Sequence, residues 1–441
     1  MKYDKFFALA KEAGIEECEL SFSISTSLEI SLFHGEIDNY SSNSSSAYMA
    51  RGIYKGKMGA ITSDVYNKDS AELFVKNIIE NASVIENEDP VFIFKGSEKY
   101  RKINTFNKEL AKIPVETKLA KLRDLEREIK ESDSRIAEVE TVGYEESSST
   151  TTMLNSHGLK LVQKNNNFYY YGSAMAKEGD QVKTGFDLAF GNDFSKVNIS
   201  ELAKTIAKEA TSKLGGFQCD SATYKAVLSQ DVVNSLMSAY ISSAVAEEVQ
   251  KNSSLFIGKL GHKIASRKVT IEDKPHAKTV FAKSFDDEGV ATKNLVLVKN
   301  GVLQSYLYNL TTAAKDNVES TGHGAVGGGS RVGTTTWYLE MKSGKKTQEE
   351  LFKEVDNGVY ITEVMGLHSG LNPKSGNFSL QSTGFMIENG KITHGLDIIT
   401  VSGNLMQIFN DIIEVGNDSK EFVSGSNVPS VIVKKIAVSG K

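Results

Sequence analysis

Alternating apolar and polar positions dominate the first part of the chain. The apolar residues between positions 20 and 32 all fall on even positions: Leu20, Phe22, Ile24, Leu28, Ile30 and Leu32. This period of two predicts one long strand, or two that continue each other, with a single buried face. Helical spacing before this run and again over residues 69–82 predicts a helix–meander–helix unit in residues 1–110.

The same plan returns in residues 111–222. A helix is predicted after Pro114, strand-like segments follow, and a second helix ends at Gly215-Gly216. Residues 223–441 are rich in strands and glycine, with hairpin turns at Asn300-Gly301 and Asn389-Gly390. The sequence therefore predicts an α+β fold of three domains, 1–110, 111–222 and 223–441, the last one strand-rich and mainly antiparallel.

Residues 229–251 open the third region and read as one long buried helix. Two adjacent rows of apolar residues at i, i+4 spacing, beginning at Val232 and Val233, form a broad face. Such a central helix is suited to carry inward-facing metal ligands. This one contains no histidine.

Composition excludes several classes of function. The 441 residues carry a net charge of −5, which argues against direct binding to nucleic acid. Two cysteines, Cys18 and Cys219, form no CxxC pair and suit a reducing compartment. The first residues do not resemble a signal peptide, and no apolar run has the length of a membrane helix. We therefore expect a cytoplasmic protein without a membrane segment.

Two clusters of residues are candidates for chemistry. Asp286-Asp287-Glu288 offers oxygen ligands for a hard cation, but it lacks the calcium-loop spacing, so a charged turn between strands is the favoured interpretation. The glycine-rich loop 320–331 contains His323, a candidate acid or base, and Arg331, which could hold a carboxylate. The alternative for this loop is a flexible turn with an exposed histidine. Glu247 and Glu248 are interpreted as solvated charges at a helix exit.

Known catalytic spacings are missing from the sequence. It contains no HExxH, HExxxH, GxSxG or cysteine–histidine cluster. Spacing alone therefore supplies no complete catalytic set.

Several longer segments resemble the TldD/PmbA family. In the C-terminal half these are PHAKTVFAKSFDDEGVATKNLVLVKNGVLQSYLYNLTTAAK, STGHG, ITEVMGLHSGLNPKSGNFSLQSTGFMIENGKI, VSGNL and EVGND. In the N-terminal unit GEIDNYSSNSSSAYMARGIYKGKMGAITS also fits. The order of TGHG, VMG and SGNL resembles the PmbA branch, also called TldE.

This resemblance implies a cytoplasmic complex of a TldD-type and a TldE-type subunit that acts as a metalloprotease on small or unfolded peptides. It implies that the TldD branch carries HExxxH on the helix opening its C-terminal domain and a cysteine near its C-terminus. Here the corresponding segments read SLMSAYISSAVAEE and GNDSKEFVSGSNVPS, without those residues. No catalytic or metal-binding residue is therefore transferred to this chain, and zinc is expected only in a TldD-type partner.

Three hypotheses follow. The first is a TldE-like subunit, in a heterodimer or a homodimer, that shapes a peptide channel; His323, Arg331, Asn417 and Asp418 are its candidates for the channel lining or the interface. The second is a regulator that binds DNA gyrase or another protein, which only the older family label "modulator of DNA gyrase" supports. The third is an independent hydrolase that works through His323.

Overall fold

The computed structural model describes residues 3–86, 88–327 and 331–441. The predicted α+β class is confirmed, with mostly antiparallel sheets and a strand-rich C-terminal domain. The first two predicted units contain these elements in chain order: α1 (Asp4–Glu12), β1 (Glu17–Phe33), β2 (Glu36–Tyr54), β3 (Lys57–Ser63), α2 (Ser70–Ser83), α3 (Val115–Ser132), β4 (Ile136–Asn155), β5 (Lys160–Glu178), β6 (Gln181–Gly191) and α4 (Ile199–Ser212).

The two N-terminal meanders form one sheet. Its strand order is β3-β2-β1-β4-β5-β6, and every neighbouring pair is antiparallel. The junction is the long β1–β4 pairing, which runs from Glu19 opposite Asn155 to Leu32 opposite Val142. The sequence predicts two separate meanders, because pairing between strands that are far apart in the chain leaves no local pattern of residues. The boundaries at 110 and 222 stay predictions.

The helices cover the even-numbered face of β1. Leu20 packs in a core with α1 and α2, whereas Ile30 and Leu32 pack in a second core with α3 and α4. Ile24 lies between the two cores and is 48% exposed. The predicted single buried face is thus covered at its two ends and open in the middle.

The C-terminal domain contains two further six-stranded sheets. Its elements are β7 (Ala222–Leu228), α5 (Gln230–Ile241), α6 (Ala246–Gln250), β8 (Ile271–Asp273), β9 (Leu295–Lys299), β10 (Val302–Leu303), α7 (Leu310–Asp316), β11 (Gly324–Val326), β12 (Val332–Thr334), β13 (Leu339–Met341), α8 (Gln348–Val355), β14 (Gly358–Met365), α9 (Leu367–Gly370), β15 (Asn377–Glu388), β16 (Lys391–Asn404), α10 (Leu405–Asn410), β17 (Ile412–Val415), β18 (Lys420–Phe422), β19 (Ser426–Val428) and β20 (Val431–Ser439). The sheet orders are β16-β15-β14-β7-β20-β17 and β10-β9-β8-β13-β19-β18. Apolar residues of both sheets, α5 and α10 share one core.

The opening helix is shorter than the sequence predicts. The Ser229 side chain caps α5 by accepting from the Val232 N–H, as a helix start requires. The helix ends at Ile241, and Val245 is extended (φ −66°, ψ 119°) before α6 begins. The extended segment at Leu307 forms hydrogen bonds with the backbone at this break. The Leu307 N–H donates to Ala244 O, and the Leu307 carbonyl accepts from the Ala246 N–H. The prediction of one continuous helix over 229–251 is therefore wrong.

The C-terminal domain also covers one end of the odd-numbered face of the N-terminal sheet. The Gln163 amide on β5 donates to Ala282 O at 3.0 Å, and Phe285 packs with Met153 and Leu161. This junction positions the charged groups described next.

Candidate functional site

A buried ion pair lies on the odd-numbered face of the N-terminal sheet. Arg51 on β2 faces Glu19 on β1 in register, and Nη2 of Arg51 is 2.7 Å from Oε1 of Glu19. Each side chain is only 2% exposed. Burial raises the pKa of the Glu19 carboxyl, and the Arg51 charge acts in the opposite direction. Arginine keeps its positive charge in proteins, so a cation is held inside this junction.

The acidic turn 286–288 lies close to this pair and is largely buried. Asp286 accepts three backbone hydrogen bonds, from Glu288, Val290 and Gly324, at 2.8–2.9 Å. Glu288 accepts from the Leu310 N–H at 2.8 Å. The predicted turn is present, but the sequence did not predict that Asp286 and Glu288 would be buried.

The two buried acids differ in their ionisation. Burial raises the pKa of Asp286 to about 6, opposed by its three N–H donors. Burial also raises the pKa of Glu288 to about 8, and the neighbouring Asp286 charge adds to this rise. At neutral pH Asp286 is therefore the ionised member, whereas Glu288 holds a proton and is able to donate it in a hydrogen bond.

Arg51 and Glu288 border a cavity of about 250 Å³ between the N-terminal sheet and the C-terminal domain, which we call the Arg51 cavity. Arg331 also borders it: its side chain is 67% exposed and its guanidinium forms an ion pair with Glu247. Glu247 additionally pairs with Lys251 at 2.8 Å. Glu247 is only 21% exposed, so the interpretation of this residue as a solvated charge at a helix exit is wrong. The remaining lining residues are Lys57, Met58, Ile85, Asp89, Pro90, Val91, Phe92, Asn309, Thr311, Thr312, Lys315 and Val332.

His323 has no exposed side-chain surface in this chain. Its Nδ1 is 2.9 Å from the Thr321 hydroxyl and its Nε2 is 3.2 Å from Asp273 Oδ2. Asp273 also accepts from the backbone N–H groups of Trp337 and Tyr338. The interpretation as an exposed histidine is wrong, because these contacts enclose the ring. His323 anchors its loop beneath the surface, whereas the sequence predicted it for the channel lining.

Asn417 and Asp418 lie elsewhere, at the N-terminal end of α5. Asp418 accepts from the side chains of Ser430 and Gln230, at 2.7–3.0 Å. Asn417 is exposed, and its backbone N–H donates to Lys346 O at 2.8 Å. Within the described ranges no contact joins these residues to Arg331. The four candidates therefore do not form one site.

Sequence reasoning missed Arg51 and Glu19, and for the segment that contains Glu288 it favoured a charged turn. The signal in the sequence is that Glu19 and Arg51 carry opposite charges on strands whose other face is apolar. Both occupy odd-numbered positions, and the C-terminal domain packs against that face of the sheet. Only the register of β1 and β2 shows that the two charges are neighbours.

A second polar junction joins α5 to the late segment 417–430. The Ser426 hydroxyl donates to Asn234 Oδ1 at 2.6 Å, and Lys420 lies 3.4 Å from Asp231. The outward residues of α5 are small or polar, including Ser235 and Ser238. This junction brings together the two segments in which the sequence lacks histidine and cysteine.

Three family profiles match consecutive parts of the chain. PmbA/TldA metallopeptidase domain 1 matches residues 18–82, the central domain matches 108–214, and the C-terminal domain matches 221–440. The chain belongs to the PmbA/TldA metallopeptidase family. This confirms the resemblance to the TldD/PmbA family drawn from the sequence.

Curated relatives of this family member carry metalloprotease names. A "Metalloprotease PmbA homolog" of Buchnera aphidicola subsp. Acyrthosiphon pisum is 30% identical over 314 residues, which are 70% of this chain and 67% of the relative. "Metalloprotease PmbA" of Escherichia coli O157:H7 is 23% identical over 434 residues, which are 96% and 92% of the two chains.

Solved structures share the complete fold. A Thermotoga maritima protein named as a modulator of a DNA gyrase is 32% identical, with a TM-score of 0.91 and 99% of both chains covered. TldE from Thermococcus kodakarensis has a TM-score of 0.91 at 21% identity and full coverage of both chains, which shows the shared fold alone.

The metallopeptidase family implies a metal, and the junction of α5 with the late segment is where its ligands would be sought. The side chains there are the carboxylate of Asp231, which pairs with Lys420, the amide of Asn234, and hydroxyls such as those of Ser238 and Ser426. Protein-bound zinc takes Cys, His, Asp or Glu ligands. Within residues 3–86, 88–327 and 331–441, no three such residues are grouped to hold a metal ion. These residues do not fit a zinc ion.

None of the described helices is long and apolar enough to cross a membrane.

Proposed function

We propose that this chain is a PmbA/TldE-like subunit of a TldD/TldE-type metalloprotease, without zinc ligands of its own. The family membership and the metalloprotease names of the relatives support the peptidase complex. In this proposal the TldD-type partner carries the zinc, the complex is cytoplasmic, and a homodimer is the alternative assembly.

One observation carries the proposal. The opening helix and the late segment contact each other through Asn234 and Ser426. The resemblance places the zinc ligands of the TldD branch on these same two segments. In this chain the two segments contain no histidine or cysteine, and a hydrogen bond between neutral side chains joins them, so we assign the chemistry to the partner.

The proposed role is to shape the passage for small or unfolded peptides. Strand addition at an exposed sheet edge reads the peptide backbone rather than its sequence. The N-terminal sheet has β3 and β6 at its edges. Arg331 and Asn417, whose side chains are exposed, are proposed for contact with the peptide or the partner, and Asp418 for positioning the loop that carries Asn417.

The test is to purify the chain alone and with a co-expressed HExxxH-bearing TldD-type partner. We expect one zinc ion per heterodimer, peptidase activity only in the complex, and loss of both when the partner's HExxxH histidines are replaced by alanine. A stoichiometric zinc ion in the isolated chain would contradict the proposal. So would failure of the two chains to associate.

A second candidate function is regulation of DNA gyrase. The name of the Thermotoga maritima structure, at 32% identity, favours it. A supercoiling assay with purified gyrase tests it: inhibition or activation by the isolated chain at a stoichiometric ratio supports regulation, and unchanged supercoiling excludes it.

A further inference from the structure

We propose that the uncovered part of the odd-numbered face of the N-terminal sheet binds an arginine side chain of an extended peptide. The site, which we call the aromatic face, consists of Glu29, Glu145, Tyr169, Tyr171 and Phe186. The C-terminal domain covers the other end of the same face, at Met153 and Leu161. That such a peptide is a substrate rests on the proposed function, whereas the binding of arginine itself does not.

The first argument is a row of aromatic rings. The ring centroids of Tyr169 and Tyr171 are 6.3 Å apart, and those of Tyr171 and Phe186 are also 6.3 Å apart. Phe186 is 51% exposed. Guanidinium groups stack on aromatic rings of this kind, because the ring face attracts a cation.

The second argument is the orientation of Tyr171. Its ring lies across β4 above Gly143: a Cβ atom at Gly143 would be 2.0 Å from Cζ of Tyr171 and 2.3 Å from its hydroxyl oxygen. Only a glycine leaves this space, so the ring rests on the backbone of the sheet. Tyr171 is partly exposed, and the other face of its ring is directed away from the sheet, where a planar cation can stack on it.

The third argument is a pair of like charges beside Tyr171. Glu29 on β1 and Glu145 on β4 are directly opposite each other in the sheet, and both are partly exposed. Burial raises the pKa of Tyr171, and the charges of Glu145 and Glu29 raise it further, so both carboxylates lie close to this ring. Like charges on directly opposite residues are unfavourable. A cation bound between them would remove this cost.

The sheet itself supplies no cation to Glu29 and Glu145 in the ranges that the structure describes. The lysines and arginines of β1, β2, β4, β5 and β6 are Arg51, Lys160, Lys164, Lys177 and Lys183. Arg51 is buried against Glu19, and Lys183 pairs with the C-terminal domain. Lys160 and Lys164 lie on the opposite face of β5 from Tyr171, because side chains alternate along a strand. Lys177 is six residues beyond Tyr171, about 20 Å along the strand.

Two basic groups that neighbouring elements bring to this end of the sheet are paired as well. His34, in the turn after β1, lies 3.2 Å from Glu138. Lys420 of the C-terminal domain lies 3.8 Å from Asp187 on β6 and 3.4 Å from Asp231. The charge beside Tyr171 therefore remains negative and favours a cationic ligand.

An arginine side chain fits both parts of the aromatic face. Its plane stacks on a ring, and its fork of N–H donors forms charge-assisted hydrogen bonds with carboxylates. Two further acids lie within reach of a second arginine. Asp38 accepts from the Ser31 hydroxyl at 3.4 Å, and Glu140 accepts from the Ser173 hydroxyl at 2.6 Å. In an extended peptide, residues i and i+2 point to the same side, so alternate arginines reach successive rows of the sheet.

The experiment is a ligand-observed NMR titration of the full chain at pH 7 and low salt. The probe is acetyl-Ala-Arg-Ala-Arg-Ala-amide, which has no terminal charges. We expect it to bind, and we expect the peptide with citrulline in place of both arginines to bind at least about tenfold more weakly, because citrulline keeps the shape but has no charge. The peptide with two lysines is expected to bind about two- to fivefold more weakly than the arginine peptide, since an ammonium group lacks the planar fork.

Variants locate the site. E29Q/E145Q removes both carboxylates and is expected to weaken binding of the arginine peptide at least about tenfold. Its melting temperature should not fall, because the substitution also removes the repulsion between two like charges. Y171L removes the ring and is expected to weaken binding about three- to tenfold. E116Q/E131Q removes two exposed charges from α3, which packs on the opposite face of the sheet, and is the matched control with unchanged binding.

Several results would overturn the proposal. They are equal binding of the arginine and citrulline peptides, no binding of the arginine peptide, or unchanged binding in E29Q/E145Q. A lysine peptide that binds as tightly as the arginine peptide would overturn the assignment to arginine. Loss of peptide binding when a TldD-type partner is added, or a change of oligomeric state in E29Q/E145Q, would show that the aromatic face is a subunit interface and not a peptide site.

The titrations use the isolated chain without zinc and without proteolysis. Their failure therefore leaves the proposed peptidase role standing, and failure of the peptidase assay leaves the arginine site standing.

Discussion

The two polar junctions of this molecule satisfy their buried groups in different ways. Between α5 and the late segment, Asn234 and Ser426 form a short neutral hydrogen bond. Between the N-terminal sheet and the C-terminal domain, Arg51 and Glu19 share one hydrogen bond, and Nε and Nη1 of Arg51 and Oε2 of Glu19 have no further partner in the part of the chain that the structure describes. The comparison teaches that α5 and the late segment are joined by partnered groups, whereas the charged junction keeps buried polar atoms that have no hydrogen-bond partner among the described residues.

The largest effect is expected when one partner of the Arg51–Glu19 ion pair is removed. R51A leaves the Glu19 carboxylate buried without its cation, which costs about 3–5 kcal/mol of stability. E19Q/R51M removes both charges and should cost less. Urea unfolding of both variants measures the difference. Equal losses would mean that Arg51 acts through its volume, and the contrast between the two junctions would disappear.

The next effect is a pH dependence that arises at the charged junction. The folded state raises the pKa of Glu288 from 4.5 to about 8, so the folded chain retains a proton that the unfolded chain releases. The associated stability is complete below about pH 4.5 and is lost as the pH rises to about 8. Burial is the largest cause of this rise in the pKa; the charges of Asp286 and Glu19 add to it, whereas the Leu310 N–H and Arg51 oppose it.

The measurement is the melting temperature between pH 5 and 9 for the wild type and E288Q. Glutamine imitates the protonated acid, so the melting temperature of E288Q should change less with pH than that of the wild type. The corresponding difference in the free energy of unfolding is on the order of a few kcal/mol, since one pKa unit corresponds to about 1.4 kcal/mol. Parallel curves for the two proteins would show that Glu288 titrates normally.

A smaller effect is expected at the neutral hydrogen bond between Asn234 and Ser426. S426A and N234A should each cost about 1 kcal/mol, the usual net contribution of a neutral hydrogen bond. A double-mutant cycle measured by urea unfolding at pH 6 and pH 8 should give the same coupling energy at both values. A coupling that changes with pH would contradict a purely neutral contact.

The smallest effect is expected at the exposed mouth of the Arg51 cavity. R331Q removes an ion pair in which Arg331 is 67% exposed, and such pairs contribute about 0–1 kcal/mol. Its melting temperature should be close to that of the wild type. A large loss of stability would place Arg331 among the structural residues.

The sequence predicts the strands well where a single face is buried, because alternation such as that of Leu20, Ile30 and Leu32 is local information. It does not predict the β1–β4 pairing or the break at Val245, since both depend on partners far away in the chain. The same reason explains the outcome for the site. Arg331 is a loop residue and lies at the edge of the Arg51 cavity. The burial of His323 and the pairing of Arg51 with Glu19 follow from tertiary contacts, which the sequence does not reveal.

The β1–β4 pairing also has a consequence for synthesis on the ribosome. One edge of β1, which ends at Phe33, remains without its neighbour until β4, which ends at Asn155, has been made. At about 5–20 residues per second, those roughly 120 residues take on the order of ten seconds. During that interval a long strand edge is open to wrong partners, because unpaired edges promote association. The nascent N-terminal region therefore presents a long unpaired strand edge that a chaperone would protect.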